Sequence, residues 1–255
     1  MVDTPLSQHP LGNTGLTVAK LSLGLVKLGR DQGVKYPTPA KIPTDSEALA
    51  LLAHAHILGV NLLDTAPAYG ISEIRLGVLL QRSSAKWLIC TKVGEEFTDG
   101  KSSHDFSPEH VRFSVERSLT RLRVDVLDIV LIHSDGNDID ILQRQGTLDA
   151  LHALKAEGKI RAVGMSHKTL AGGELALRQG ADVLMATLNR SHTEDAELIA
   201  NAARAGCGVL IKKALNSGHG SADDLAFVAG YEGVHSIVVG TTSVKHLGEN
   251  VAALR

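Results

Sequence analysis

Four side chains that can hold or transfer a proton lie at or near the ends of apolar, strand-like stretches of the sequence. Asp64 ends one stretch and Tyr69 follows it in a short loop, while Lys92 and His133 end two further stretches. Parallel strands that alternate with helices bring their carboxyl ends to one side of the sheet or barrel, where active sites lie. We therefore expect the four side chains to meet in one pocket.

This set suits proton delivery to a carbonyl oxygen. A free phenol has a pKa of about 10, and a nearby ammonium lowers that pKa by favouring tyrosinate. In this interpretation Tyr69 is the general acid, Lys92 tunes it, Asp64 holds Lys92 and His133 orients the substrate oxygen. None of the four is a good electron acceptor or covalent nucleophile, so the hydride must come from a nicotinamide cofactor. The competing interpretation is a structural Asp64–Lys92 salt bridge with Tyr69 at a loop tip.

The elements that position these residues read as parallel βα units. Unbroken apolar runs, typical of strands buried on both faces, predict strands over 20–24, 60–64, 87–92, 127–133, 160–165, 183–187, 208–212 and 236–239. Amphipathic patterns predict helices between them, among others over 45–58, 108–122, 147–157, 194–205 and 244–254. Capping residues at 44–47 and 107–109 mark two helix starts.

The length of 255 residues fits one α/β barrel, which takes about 250 residues. A doubly wound sheet is the alternative, but the strand count favours closure. We expect a (β/α)8 TIM barrel as a single domain over residues 1–255. A short N-terminal hairpin over residues 11–18 should plug the barrel bottom, and we expect an abbreviated C-terminal end.

Composition and charge disfavour several classes of partner. The net charge is −2 and no Lys/Arg block stands out, which argues against nucleic acid and anionic membranes. No apolar run approaches the roughly 20 residues of a membrane span, and residues 1–10 lack a secretory apolar segment. Cys90 and Cys207 are too few for a disulfide framework. We predict a cytoplasmic monomer or small homo-oligomer that acts on a small-molecule carbonyl substrate and holds no metal.

Several motifs resemble those of the aldo-keto reductases and occur in that family's order. They are residues 62–70 with Ser72-Glu73, residues 91–94, Ser118-Leu119 with Leu122 and Asp125, residues 128–133, residues 158–166 and Glu249-Asn250. The resemblance implies a (β/α)8 barrel, NAD(P)H bound in an extended form, and reduction of aldehydes or ketones. The family's catalytic tetrad matches Asp64, Tyr69, Lys92 and His133.

The resemblance also implies a set of cofactor-binding residues, with departures from the family pattern. The set is Gly24, Asp64, Ser166, His167, Lys212, Lys213, Leu215, Gly240, Thr241, Thr242, Glu249 and Asn250. His167 replaces an asparagine, Met185 replaces a glutamine, and Lys212 replaces an aromatic residue that stacks on the nicotinamide. The usual arginine for a 2′-phosphate is missing, and Lys245 and His246 are the nearest basic residues. The implied cofactor is NADP(H), with NAD(H) as the alternative.

Two other functions remain open. A cofactor-sensing regulatory subunit would explain the altered nicotinamide contacts, and a metal-dependent barrel lyase or hydrolase could use His133, His167 and Asp64. Short loops and an aromatic content of 3% predict an open site with loose substrate selection. Tyr36, Phe97 and Phe106 lie in loops that should border this site.

Overall fold

The computed structural model describes residues 4–34 and 41–255. In chain order their strands are β1 (Gln8–Pro10), β2 (Thr17–Ala19), β3 (Leu21–Gly24), β4 (Leu62–Asp64), β5 (Leu88–Val93), β6 (Glu95–Thr98), β7 (Lys101–His104), β8 (Leu127–His133), β9 (Ile160–Ser166), β10 (Val183–Thr187), β11 (Gly208–Lys212) and β12 (Ser236–Gly240). Eight parallel strands close into a barrel in the order β10-β11-β12-β3-β4-β5-β8-β9. The expected (β/α)8 barrel is confirmed, and each predicted strand end lies within two residues of the observed one.

Helices follow the barrel strands and cover the outside of the barrel. They are α1 (Val26–Gly29), α2 (Asp45–Ile57), α3 (Ser72–Leu80), α4 (Pro108–Leu122), α5 (Asp138–Gln143), α6 (Thr147–Ala156), α7 (Leu170–Arg178), α8 (Ala196–Arg204), α9 (Ala222–Ala229) and α10 (Val244–Ala252). The expected caps are present, because Thr44 forms a capping box with Glu47 and the Ser107 side chain accepts from the His110 amide. Among the described residues, none of these helices is both long and apolar enough to cross a membrane.

Successive strand residues face opposite sides of the barrel wall. Leu63 belongs to the cluster that packs the strands against the helices, whereas its neighbour Leu62 belongs to the cluster that fills the barrel. The same alternation places Met185 inside the barrel and Leu184 outside it. Because both faces of each strand are buried, the strands read as continuous apolar runs.

The predicted N-terminal hairpin is present, with a shifted boundary. Strands β1 and β2 pair antiparallel, and residues 11–16 form the connection between them. Leu11, Leu16 and Val18 are buried in the interior cluster, and the Asn13 amide donates to the Gly206 carbonyl at 2.7 Å. Gly206 precedes β11, so the hairpin closes the amino-terminal end of the barrel.

A second hairpin, β6–β7, follows β5 where no strand was expected. Its turn residues Asp99 and Gly100 have φ values of 51° and 78°, the left-handed conformation that two-residue hairpin turns require. The hairpin packs against a 3₁₀ turn over Pro67–Tyr69. It therefore lies over the carboxyl end of the barrel, beside the predicted catalytic residues.

Two of the three predicted border aromatics anchor this region. The Arg30 guanidinium lies 3.6 Å from the centre of the Phe97 ring, and Phe106 is buried beside Gly94. Tyr36 lies outside the described residues. Phe97 and Phe106 thus hold the hairpin in position.

The helical glycines offer a test of barrel packing. A Cβ on Gly77 in α3 would lie 2.1 Å from the backbone oxygen of Arg121, which forces α3 and α4 apart. We expect Gly77→Ala to lower the free energy of unfolding by about 1–3 kcal/mol, measured by urea denaturation.

Gly248→Ala is the matched control for this substitution. The nearest atom to a Cβ on Gly248 in α10 is His54 Nε2 at 3.9 Å, so the methyl group meets no clash. This variant should be about 0.5–1 kcal/mol more stable than the parent. Equal effects of the two variants would contradict the close contact between α3 and α4.

Candidate active site

Asp64 and Lys92 form a buried ion pair at the carboxyl ends of β4 and β5. Lys92 Nζ lies 2.6 Å from Asp64 Oδ1 and also donates to the Thr65 carbonyl at 2.9 Å. The two side chains are only 4% and 1% exposed. Asp64 pairs with Cys90 in the sheet register, two residues before Lys92. Side chains two residues apart on a strand share a face, so Lys92 lies on the same face of β5 as Cys90. The pairing of β4 with β5 therefore places the Asp64 carboxylate beside the Lys92 ammonium.

Tyr69 stands against this ion pair. Its ring centre lies 4.8 Å from Lys92 Nζ, and the ring meets the imidazole of His133 edge to face with centroids 6.0 Å apart. The turn that carries Tyr69 is tightly packed, since a Cβ on Gly70 would lie 2.3 Å from the Gly29 oxygen. The structure thus brings all four predicted catalytic side chains into one site.

Burial and the neighbouring charges strongly shift the pKa values of Lys92 and Tyr69. Burial alone would lower the pKa of Lys92, but Asp64 and Tyr69 outweigh it and the pKa is raised. The pKa of Tyr69 is also raised, because burial is the largest effect and Asp64 adds to it, while Lys92 opposes both. The expected lowering of the phenol pKa by Lys92 is therefore present but outweighed. Lys92 stays charged and Tyr69 stays protonated at neutral pH.

His133 faces a carboxylate that the sequence analysis did not include. Glu95, the first residue of β6, places Oε2 2.9 Å from His133 Nδ1, off the ideal N–H direction. Burial lowers the pKa of His133, and the positive charges of Lys92 and Lys212 lower it further, while Glu95 raises it. The net direction is downward, so the imidazole favours its neutral form.

Ser166, His167 and Lys212 form a second polar cluster at the ends of β9 and β11. Lys212 Nζ donates to Ser166 Oγ at 2.9 Å and to the His167 carbonyl at 2.5 Å. The pKa of Lys212 is lowered to about 7, mainly by burial. The positive charges of Lys213 and Lys92 lower it further, whereas the carboxylates of Asp138 and Asp195 raise it. Nε2 of His167 lies 3.0 Å from Asp195 Oδ2, and its buried Nδ1 has no partner.

The remaining candidate cofactor residues lie along β3, after β11 and along β12 and α10. Gly24, Thr241 and Thr242 line one shared pocket, and Gly24 pairs with Gly240 across β3 and β12. Lys213 adopts a left-handed φ of 58° and its carbonyl accepts from Asn189. Leu215 precedes the 3₁₀ turn Asn216–Gly218, Glu249 pairs with Lys245 at 3.7 Å, and Asn250 is buried on α10. Met185, in contrast, packs inside the barrel.

Buried acids fix the loops around the site. Glu73 on α3 accepts from Thr91 and Ser118, each at 2.7 Å, and from Arg121 at 3.2 Å. It thereby ties α3 to β5 and α4, which explains the acid in the Ser72-Glu73 motif. Asp138 accepts from Ser134 and from the Lys168 and Thr169 amides, so the loops after β8 and β9 are joined.

Glu95 and Asp195 are the charged site residues that sequence reasoning missed. A signal for Glu95 existed, because Asp99-Gly100 between short polar-apolar alternations is typical of a hairpin turn. Such a hairpin directly after Lys92 would have to lie at the barrel mouth. Asp195 gave no comparable signal, since it lies at the start of the predicted helix over 194–205, directly before α8, where an acid is typical of any helix start.

The two histidines named for a metal-dependent mechanism, His133 and His167, lie in separate pairs with carboxylates. Across residues 4–34 and 41–255, no group of three or more His, Cys, Asp or Glu side chains is placed to hold a metal ion. His133 and His167 instead face the carboxylates of Glu95 and Asp195, respectively.

The buried ion pair makes a specific prediction about stability. Asp64→Asn leaves the Lys92 ammonium buried without a counter-charge, so we expect a loss of about 3–5 kcal/mol in the free energy of unfolding. The double variant Asp64→Asn/Lys92→Met removes both charges and should recover part of that loss. Urea denaturation of both variants checks the prediction.

The control for this experiment is an exposed ion pair. Glu174 and Arg178 lie 3.9 Å apart with side chains 50% and 64% exposed, so Glu174→Gln should change stability by about 0.5 kcal/mol or less. If Asp64→Asn lowered the free energy of unfolding no more than Glu174→Gln does, the Asp64–Lys92 pair would be accessible to water and the prediction would be wrong.

Comparison with known proteins supports the resemblance to the aldo-keto reductases. A sequence model of the Aldo/keto reductase family matches residues 20–224. The chain is 36% identical over 169 residues to L-galactose dehydrogenase of Arabidopsis thaliana, covering 64% of this chain and 49% of that protein. It is 31% identical over 175 residues to the NADH-specific methylglyoxal reductase of Escherichia coli, covering 64% and 52%. The matched region thus spans about half the length of these curated relatives.

Solved structures agree over a greater length. A protein from Pseudomonas aeruginosa assigned to the aldo-keto reductases is 47% identical, with a TM-score of 0.91 and coverage of 100% of this chain and 97% of that one. An aldo-keto reductase from Bacillus halodurans, solved in its holo form, is 22% identical with a TM-score of 0.83 over 98% and 91% of the two chains, and supports the fold. With its closed barrel and the matched segment of residues 20–224, the chain belongs to the aldo-keto reductase family.

Proposed function

We propose that the protein reduces aldehydes or ketones with NAD(P)H, with Tyr69 as the general acid. The observation that carries this proposal is the buried Asp64–Lys92 ion pair with its ammonium 4.8 Å from the centre of the Tyr69 ring. A fixed ammonium beside a phenol stabilises the phenolate that proton transfer leaves behind. A purely structural salt bridge would not require a phenol at this place.

The four side chains divide the proton transfer among them. Tyr69 donates its hydroxyl proton to the carbonyl oxygen, and the raised pKa keeps that proton on the phenol until substrate is present. Lys92 stabilises the negative charge on the phenol oxygen, and Asp64 holds Lys92. The imidazole of His133 meets the Tyr69 ring edge to face and, when protonated, would donate a hydrogen bond to the same oxygen of the substrate. The chemistry that a bound reduced nicotinamide would supply is the hydride for the carbonyl carbon.

The cluster of Ser166, His167 and Lys212 fits the carboxamide of that cofactor. Asp195 keeps the hydrogen of His167 on Nε2, so the unpartnered Nδ1 is a hydrogen-bond acceptor. A carboxamide offers an NH₂ group for this acceptor and an oxygen for the Lys212 ammonium. The orphaned nitrogen is the feature of this structure that favours an amide ligand.

The opposite end of the cofactor is assigned to the elements around the pocket of Gly24, Thr241 and Thr242. The other residues proposed for the pyrophosphate and adenosine are Lys213, Leu215, Gly240, Glu249 and Asn250. Lys245 is 82% exposed and pairs with Glu249, which makes it a weaker phosphate ligand than a preorganised arginine fork. We propose NADP(H) with NAD(H) as the alternative; the Escherichia coli relative is NADH-specific by name.

A regulatory subunit that binds cofactor without turnover is the second candidate. It is favoured by Met185, which packs in the barrel interior and gives no polar contact to a carboxamide. Turnover of a reactive aldehyde with NADPH or NADH would exclude it. In either case we propose a single domain over residues 1–255 in a cytoplasmic monomer or small homo-oligomer.

The role of Tyr69 is tested by removing only its hydroxyl group. Tyr69→Phe should lower kcat with a reactive aldehyde by about 10²–10⁴-fold, since it removes the general acid. The Kd for NADPH, measured by nicotinamide fluorescence, should stay nearly unchanged because the ring remains.

Tyr231→Phe serves as the matched control. Tyr231 stacks edge to face on Phe227 with ring centroids 5.2 Å apart, away from the strand ends that form the site. Its loss of a hydroxyl should leave kcat unchanged. A Tyr69→Phe enzyme that keeps most of its rate would show that another group is the acid.

The two ends of the cofactor are tested separately with lysine variants. Lys212→Met removes a donor to the carboxamide and should weaken NADPH and NADH equally, by about tenfold. Lys245→Met should weaken NADPH alone, if this lysine contacts a 2′-phosphate. Fluorescence titration of both cofactors against both variants gives the four affinities, and a selective effect of Lys212→Met would contradict the proposed carboxamide contact.

A further inference from the structure

The contact between Glu95 and His133 brings a carboxylate into the candidate active site. Oε2 of Glu95 lies 2.9 Å from Nδ1 of His133, and the two side chains are only 16% and 19% exposed. Glu95 comes from the β6–β7 hairpin, whereas His133 ends the barrel strand β8. The imidazole of His133 is thus carried by a barrel strand and contacted by a residue of a hairpin that lies outside the barrel.

Several contacts hold Glu95 in this position. The chain turns sharply at Gly94, whose φ is 102° and whose Cβ would lie 2.2 Å from the Phe106 ring. Ser102 on β7 donates to Glu95 Oε1 at 2.7 Å, and the Arg30 guanidinium lies 3.9 Å from the same oxygen. The placement of the carboxylate is therefore built into the hairpin.

The charge on Glu95 decides where the hydrogen of His133 lies. Burial raises the pKa of Glu95, but His133 and Ser102 outweigh it and bring the pKa down to about 2. A carboxylate has no hydrogen to donate. The contact lies off the ideal N–H direction, so charge attraction and not an aligned hydrogen bond holds it. It is favourable only when Nδ1 carries the hydrogen, because the Nδ1 lone pair and the carboxylate would repel each other.

We propose that Glu95 is a positioning residue that keeps the hydrogen of His133 on Nδ1, so that Nε2 accepts a hydrogen bond when the imidazole is neutral and donates one only when it is protonated. This inference rests on the proposed function and deepens it. Neutral Nε2 accepts the hydroxyl hydrogen of an alcohol, while protonated Nε2–H donates to a carbonyl oxygen. The same pocket therefore binds the alcohol better above the pKa of His133 and the carbonyl better below it.

The other charged groups around His133 set where this change occurs. Lys92 on β5 and Lys212 on β11 disfavour the imidazolium, and Glu95 on β6 is the carboxylate that favours it. Tyr69 packs against the ring as a neutral phenol. Removing the charge of Glu95 must therefore lower the pKa of His133.

Histidine NMR on the cofactor-free protein tests the pairing of Glu95 with His133: the ring nitrogen shifts of the neutral form report which nitrogen carries the hydrogen, and the titration reports the effect of the Glu95 charge. The His133 resonances among the 12 histidines are assigned by their loss in His133→Asn. Glu95→Gln should lower the pKa of His133 by about one unit or more, while Glu95→Asp, which keeps the charge, should retain most of the parent value. Glu96→Gln is the matched control, since Glu96 pairs with Arg117 and His110 instead.

An unchanged His133 pKa in Glu95→Gln, or an equal shift in Glu96→Gln, would overturn the inference. A Glu95→Asp variant that shifts as far as Glu95→Gln would also overturn it, because the charge would then not be the cause. None of these titrations requires cofactor or turnover. A failure of the proposed reductase activity is therefore distinguishable from a failure of this pairing.

Kinetics with 4-nitrobenzaldehyde and 4-nitrobenzyl alcohol tests the second part. In the parent enzyme KM for the aldehyde should rise with pH and KM for the alcohol should fall, with both changes centred on the NMR pKa of His133. In Glu95→Gln the pH dependence of both KM values should move to lower pH by the same amount as the His133 pKa measured by NMR. At a pH between the His133 pKa values of the variant and the parent, KM for the aldehyde should then be about tenfold higher in the variant. KM values that do not follow the His133 titration would overturn the assignment of Nε2 as the ligand contact.

Discussion

The ion pair between Asp64 and Lys92 is the interaction on which the rest of the site depends. Taking a lysine and an aspartate out of water is costly, and the cost is offset only by close contact and further hydrogen bonds. Both conditions hold here, because the 2.6 Å contact is supplemented by the Thr65 carbonyl. The barrel supplies the geometry, since pairing of β4 with β5 fixes the two residues on one face. A permanent positive charge beside Tyr69 is the result.

Two lysines at the same end of the barrel behave in opposite ways. The pKa of Lys92 is raised because a carboxylate faces it. The pKa of Lys212 falls to about 7, since burial is the main effect and its direct partners are the neutral oxygens of Ser166 and His167. The barrel mouth therefore contains one charge that is constant and one that changes near neutral pH. The difference arises from the partners and not from the residue type.

Much of the barrel and of the candidate active site could be predicted from the sequence. Unbroken apolar runs give the strands, and the polar residue after each run gives Asp64, Lys92 and His133, since parallel strands end on one side. Contacts from outside the barrel could not be read in this way. Glu95 depends on how a hairpin folds back over the strand ends, and Asp195, the partner of His167, lies directly before α8. Neither position follows from a repeating pattern.

The strands and the hairpin exert different kinds of control over the site. The residues at the strand ends are fixed by the barrel register, so a shift in any one of them would disturb the whole sheet. Glu95 is fixed only by its neighbours in the hairpin, by Ser102 and by Arg30. A change in the hairpin can therefore alter the protonation of His133 and leave the Asp64–Lys92 pair intact. In the proposed mechanism the barrel would hold Tyr69 and the ammonium of Lys92, while the hairpin would determine which oxygen, carbonyl or hydroxyl, the imidazole of His133 binds.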